Sequence, residues 1–217
     1  MNRSIFAIFL VFIFSLCAFA QGRSSFNRWE VYGGYSNGQV DKGFDSGNSL
    51  SSFFDDRRSF NGFEASGVYN FHRYLGFKAD VSGTYNSRSS SFTVPNGDGT
   101  NSTVSFDHNR SLYNILGGIQ VKDNASDARF KPFAHALIGV GEGRSSFRNV
   151  TCSGGIDCTG LFSTDSQTGF ASAFGGGLDI KLSNKIDFRA IQVDYNPIRF
   201  DGETQNNVRF GIGFVFK

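Results

Sequence analysis

The sequence predicts an all-β chain of eight antiparallel strands closed into one barrel. Three observations carry this. Period-two alternation of apolar and other residues recurs along the chain, while no apolar stripe at period 3.6 follows residue 20. Glycine (27) and phenylalanine (26) are abundant among 217 residues and proline (3) is scarce. The connections between alternating segments run long, short, long, short, long, short, long. The final segment, 206–217, shows the alternation most plainly. Val208, Phe210, Ile212, Phe214 and Phe216 share one face; Arg209, Gly211, Gly213 and Val215 share the other. A bulky apolar face opposite a small one fits a barrel with lipid outside and a crowded interior. Taken alone, that strand fits an ordinary buried strand at the end of a β-sandwich equally well.

Residues 1–20 read as a secretory signal ahead of a single barrel domain, 21–217. Arg3 supplies the positive start, Ile5 to Leu16 an apolar run broken only by Ser15, and Ala18-Phe19-Ala20 a cleavage site between Ala20 and Gln21. The run is shorter than the roughly 20 residues needed to span a bilayer. Leu16 is too large for a lipidation box at Cys17. The formal net charge of +2 falls by one with Arg3, which leaves no footprint for nucleic acid. Cys152 and Cys158 then remain, in the glycine-rich run C-S-G-G-I-D-C. In an exported chain this spacing reads as a local disulfide. A metal site is the alternative, but two thiolates with no histidine nearby are too few for one.

The strands follow in order. In 29–36, Val31, Gly33 and Tyr35 oppose Glu30 and Tyr32; a polar stretch, 37–59, comes next. A hairpin then places Phe63, Ala65, Gly67 and Tyr69 opposite Glu64, Ser66, Val68 and Asn70, turns through 71–74, and returns. On the return, Phe77, Ala79, Val81, Gly83 and Tyr85 oppose Lys78, Asp80, Ser82 and Thr84. Residues 86–104 read as a second long loop. Strand four, 110–121, carries Tyr113, Ile115, Ile119 and Val121 on one face. Strand five, 131–141, begins near Pro132, which cannot donate to a ladder. Residues 142–168 read as a third loop. Strand six, 169–181, sets Phe170, Phe174, Leu178 and Ile180 against Asp179, Gly175 and Gly177. In strand seven, 186–196, Asp187 and Arg189 differ in parity from Gln192 and Asp194. All four point inward only if a one-residue bulge lies near Ala190-Ile191. Residues 197–205 read as a last loop.

Long loops on one side, short periplasmic turns and both termini on the other, and aromatics near strand ends (Trp29, Tyr35, Tyr69, Tyr74, Tyr85, Tyr113, Tyr195) make the barrel transmembrane. Most strands approach the 9–11 or so residues that cross a bilayer. The segments W-E-V-Y-G-G-Y-S at 29–36, the hairpin 61–85, K-P-F-A-H-A-L-I-G-V-G at 131–141, F-G-G-G-L-D-I-K-L-S at 174–183 and R-A-I-Q-V-D-Y at 189–195 are similar to those of small outer-membrane barrels of the OmpA-like type. The closest likeness is to the stand-alone, porin-family members, and it covers nearly all of 21–217. It implies a location in the cell outer membrane, contact with outer-membrane lipid, and no cofactor. It also implies a terminal aromatic read by the barrel-assembly machinery. Here Phe216 is penultimate and Lys217 follows.

Glu30, Glu64, Lys78, Asp80, Asp179, Arg189, Asp194 and Arg209 fall on inward faces. They read as a paired network that plugs the lumen, because eight strands enclose only enough room for side chains. The expected pairs are Arg189 with Asp194 or Asp179, and Arg209 with Glu30 across the closing seam. The alternative is a narrow path for ions or small solutes lined by the same charges. His135 lies mid-strand and inward, His72 in a turn and His108 near a loop, with no serine–histidine–acid spacing around His135. The chain therefore reads as a monomeric non-enzyme with a structural or surface-interaction role. Any extracellular ligand or surface would be met by the loops, above all 142–168. A soluble, secreted, lipocalin-like binding barrel is the second alternative.

Overall fold

The computed structural model describes residues 26–41, 57–95, 100–154 and 163–217. Eight strands follow in order: β1 (Trp29–Asp41), β2 (Arg57–Asn70), β3 (Leu75–Pro95), β4 (Asn101–Lys122), β5 (Phe130–Ser153), β6 (Asp165–Lys181), β7 (Ile186–Phe200) and β8 (Glu203–Phe216). Each pairs antiparallel with its neighbour in sequence, and β1 pairs with β8, so the sheet closes into a ring without an edge.

The alternation sorts side chains onto the two surfaces. Phe77, Ile115, Ile138, Phe170, Ile191 and Phe214 point outward and are exposed, Ile115 by 61%. A closed barrel wrapped in such residues is shaped for lipid, because water gives them no partner. Aromatics border the belt. Trp29 packs on Tyr69 at one end (ring centroids 4.8 Å apart), and Tyr85 meets Tyr113 edge-on at the other (5.7 Å). The inward face holds ionised groups and small residues. A Cβ at Gly213 would stand 2.9 Å from the Tyr32 ring and closer still to the β1 backbone, so that close approach needs glycine. The register between β7 and β8 slips between Arg189 and Gln192, with Ala190 and Ile191 opposite a single β8 position. This is the expected bulge, and it turns Asp187, Arg189, Gln192 and Asp194 all inward to full burial.

The long loops are corrected. Residues 86–95 and 101–104 are strand, paired from Asn86↔Arg110 to Pro95↔Asn101. Residues 142–153 extend β5 against β4, as far as Thr103↔Ser153. The 197–205 segment is a tight hairpin whose two turn residues, Asp201 (φ 45°) and Gly202 (φ 91°), take the left-handed backbone that such turns require. Of the expected loop 37–59, only 42–56 lies outside the described residues; its flanks are β1 and β2. At 21 residues, β3 is about 70 Å long, against an apolar band of roughly 25 Å; β3, β4 and β5 therefore rise as a ribbon beyond the belt. Cys152 lies on this ribbon opposite Val104. Cys158, Ala20 and Gln21 lie outside the described residues.

Candidate functional site: the lumen and outer mouth of the barrel

The eight charged residues read from the sequence are all buried in the lumen. Arg209 on β8 forms the first hub. Its Nε and Nη2 donate to Asp194 Oδ2 (3.0 and 2.7 Å), and its Nη1 donates to Asp80 Oδ1 (2.8 Å) and Ser82 Oγ (2.9 Å). Glu64 Oε2 is 3.6 Å from its Nε. Lys78 Nζ lies 3.6 Å from both Glu64 and Asp80. The second hub joins Arg189 to Asp179 (2.8 and 3.2 Å) and stacks its guanidinium between the Tyr32 and Phe133 rings, at 4.3 and 4.0 Å. Gln192 links the hubs: it accepts from Arg189 Nη1 and donates to Glu64 and Asp194.

One expected pair is not formed. Arg209 does not meet Glu30, although their strands share the seam. Glu30 sits near the turn end and takes Lys122 Nζ instead (2.9 and 3.0 Å). Arg189 meets Asp179, one of its two expected partners, and Gln192 stands between it and the other, Asp194. Lys122 also bonds Asp179 at 2.9 Å. Lys122 lies one residue past the strand expected over 110–121, and its parity with Gln120 was the available signal. A third group was missed. Asp187 accepts from Lys217 Nζ (2.7 Å) and lies 3.6 Å from Lys131. His135 Nε2 is 2.9 Å from Asp194, inward as expected. Among the described residues, no group of three His, Cys, Asp or Glu side chains could hold a metal ion.

Above the ions lies an apolar layer that the sequence reading also missed. Leu116, Leu137, Ala171, Ala173 and Ile198 pack across the lumen with Val40, Phe60 and Leu112. Its signal was strands apolar on both faces, as at Leu112 to Leu116. Beyond it, the mouth opens as a cavity of about 310 Å³ floored by Val40, Phe60, Leu112 and Phe200 and walled by Arg58 and Arg110. On its wall, Ser145 Oγ lies 2.7 Å from His108 Nε2. Arg110 Nε donates to the same nitrogen at 3.2 Å, which leaves it poorly placed to take a serine proton.

A closed eight-stranded ring with this outer belt and this filled lumen agrees with a family match over residues 6–216, to the outer membrane protein beta-barrel domain. The chain belongs to this family. Among solved structures, this outer membrane beta-barrel is similar to Ail, the attachment invasion locus protein of Yersinia pestis, in complex with the heparin analogue sucrose octasulfate. The identity is 17% and the TM-score 0.53, over 87% of this chain and 97% of that one. It is also similar to Neisserial surface protein A (12% identity, TM-score 0.53, over 88% and 97%). At these identities the likeness is one of fold. Comparison with curated proteins finds no match.

Proposed function

We propose that this protein is a non-enzymatic, monomeric outer-membrane barrel that serves as a sealed scaffold for surface interactions made by its outer strands and loops. The observation that carries the reading is the filled lumen. Leu137 and Ile198 in the apolar layer, and Asp80, Asp179 and Asp194 below it, have no solvent exposure. A conducting path would need water past each of them. An exported chain cleaved after Ala20 would meet the barrel-assembly machinery and outer-membrane lipid as its first partners. A disulfide between Cys152 and Cys158 would fix the tip of the ribbon. Ail is named for attachment and invasion, and tall outer strands on a sealed barrel suit a role of that kind.

The test is efflux from liposomes carrying refolded residues 21–217 and an entrapped small solute. Sealed liposomes with protein stably inserted are the expected result. Size-limited leakage would replace this reading with a pore. A folded product that stays in solution would replace it with a secreted, lipocalin-like barrel.

A further inference from the structure

The mouth holds cations that the lumen network does not use. Arg58 on β2 and Arg110 on β4 point inward, at the same parity as Phe60 and Leu112, and line one cavity. Among the described residues, the Arg58 side chain has no hydrogen bond or ion pair. Arg110 bonds only a histidine, His108, at 3.2 Å. Burial, and then the neighbouring Arg58, pulls the Arg110 guanidinium below its ordinary value. Burial, then Arg110 and Arg58, does the same to His108. Two guanidiniums thus share a half-enclosed space with no carboxylate bonded to either.

The other charges at the cavity do not fill that role. Arg144 is engaged by Glu142 at 2.7 Å. Asp41 stands opposite Arg57 in the β1–β2 register, and Asp165 is exposed at the start of β6. Below the arginines the floor is apolar: Val40, Phe60, Leu112 and Phe200. Above them, on the inward side of the ribbon, His108 stacks on Phe147 at 4.5 Å, and Phe106 meets Phe147 edge-on at 5.5 Å.

We propose that this cavity binds a small organic anion, its charged head held by Arg58 and Arg110 and its apolar body seated on Phe60, Leu112 and Phe200. Each part of the site selects. A guanidinium pair binds carboxylate, sulfate or phosphate oxygens through charge-assisted bonds. The floor rewards an apolar body and gives a bare inorganic ion nothing. A cation meets two like charges. The volume suits a ligand of roughly one or two rings, at the small end of ordinary binding pockets. The inference rests on the surface-interaction reading and gives it a ligand class.

The experiment is equilibrium binding of naphthalene-2-sulfonate to residues 21–217 refolded into zwitterionic phospholipid vesicles, with partition into protein-free vesicles subtracted. The expected result is saturable binding, one per chain, weakened about tenfold by Arg58→Gln and again by Arg110→Gln. Arg144→Gln should leave it unchanged. Equal binding of 2-naphthylmethylammonium would overturn the proposal. So would unchanged affinity in the Arg58→Gln/Arg110→Gln double variant, or displacement of the sulfonate by an equal concentration of inorganic sulfate. Solute efflux from the same vesicles reads the sealed barrel separately. Leakage with binding intact overturns the scaffold and leaves the site standing; sealed vesicles without binding overturn the site alone.

Discussion

Arg209 is the residue on which most of the lumen converges, and its neighbours set the cost of losing it. It bonds Asp80 and Asp194 and approaches Glu64, all of them fully buried. Arg209→Met would leave buried carboxylates without their main cation, a loss of about 3–5 kcal/mol for a broken buried pair. Urea unfolding of the refolded barrel should show it. Adding Asp80→Asn and Asp194→Asn to that variant should recover part of the loss, because neutral amides remove the stranded charge; no recovery would mean that the guanidinium acts through packing alone. Lys217 also acquires a reason. The family pattern expects an aromatic last residue, yet the ammonium of Lys217 bonds the buried Asp187 at 2.7 Å, while Phe216 before it still faces outward, opposite Val31. The departure from the pattern places a counter-charge at the open end of the lumen.

At the scale of elements, the ribbon of β3, β4 and β5 shows what the sequence conceals. Within the belt, one face must be apolar, so period two is visible and the faces of β2 and β3 were legible residue by residue. Above the belt, water covers the outward face. Ser87, Ser89 and Ser91 on β3 stand opposite Asn109, Asp107 and Ser105 on β4, and the alternation fades while the ladder continues. Such stretches read as loops from composition. A bulge in this ribbon, between Ser105 and Asp107, is pinned by Asn149, whose φ of 51° is left-handed and whose Nδ2 donates to Asp107 Oδ2 at 2.6 Å. Hydrogen bonds from Ser89 and Asn149 hold the Asp107 carboxyl below its ordinary value. A depressed carboxylate stabilises the fold above its unfolded value, about 3.9, and that support is lost as the pH falls through the folded value. Hydrogen-exchange protection of amides 105–109 and 147–151, corrected for intrinsic rates, should therefore fall between pH 7 and pH 2.5. Asp107→Asn should show no such fall; equal protection at both pH values in the unaltered chain would refute the role given to Asp107.

Over the whole molecule, parity told that the eight named charges enter the lumen, but of their partners it told only Asp179 for Arg189. Lys122 and Glu30 are 92 residues apart and meet only because the ring closes. The apolar layer was hidden for a related reason: Leu137 and Ile198 lie on strands that are not neighbours and belong to one cluster packed across the lumen. Within the belt the outward face was legible, and it makes a direct prediction. A cysteine at Phe214, exposed by 46%, should react with membrane-dissolved maleimides and resist water-soluble ones, whereas one at Val215, exposed by 1%, should resist both. Reaction of the Phe214 cysteine with water-soluble reagent would remove lipid from that face. The position of Arg209 also bears on how such a barrel is born. The cation that neutralises Asp80 and Asp194 arrives on β8, and Lys217, which neutralises Asp187, directly follows that strand. A sheet lacking β8 leaves Asp80, Asp194 and Asp187 without these cations, and stranded carboxylates hold water rather than expelling it. Dehydration of the lumen is thereby tied to closure of the ring by β8, and a sheet still lacking that strand is left wet and open-edged.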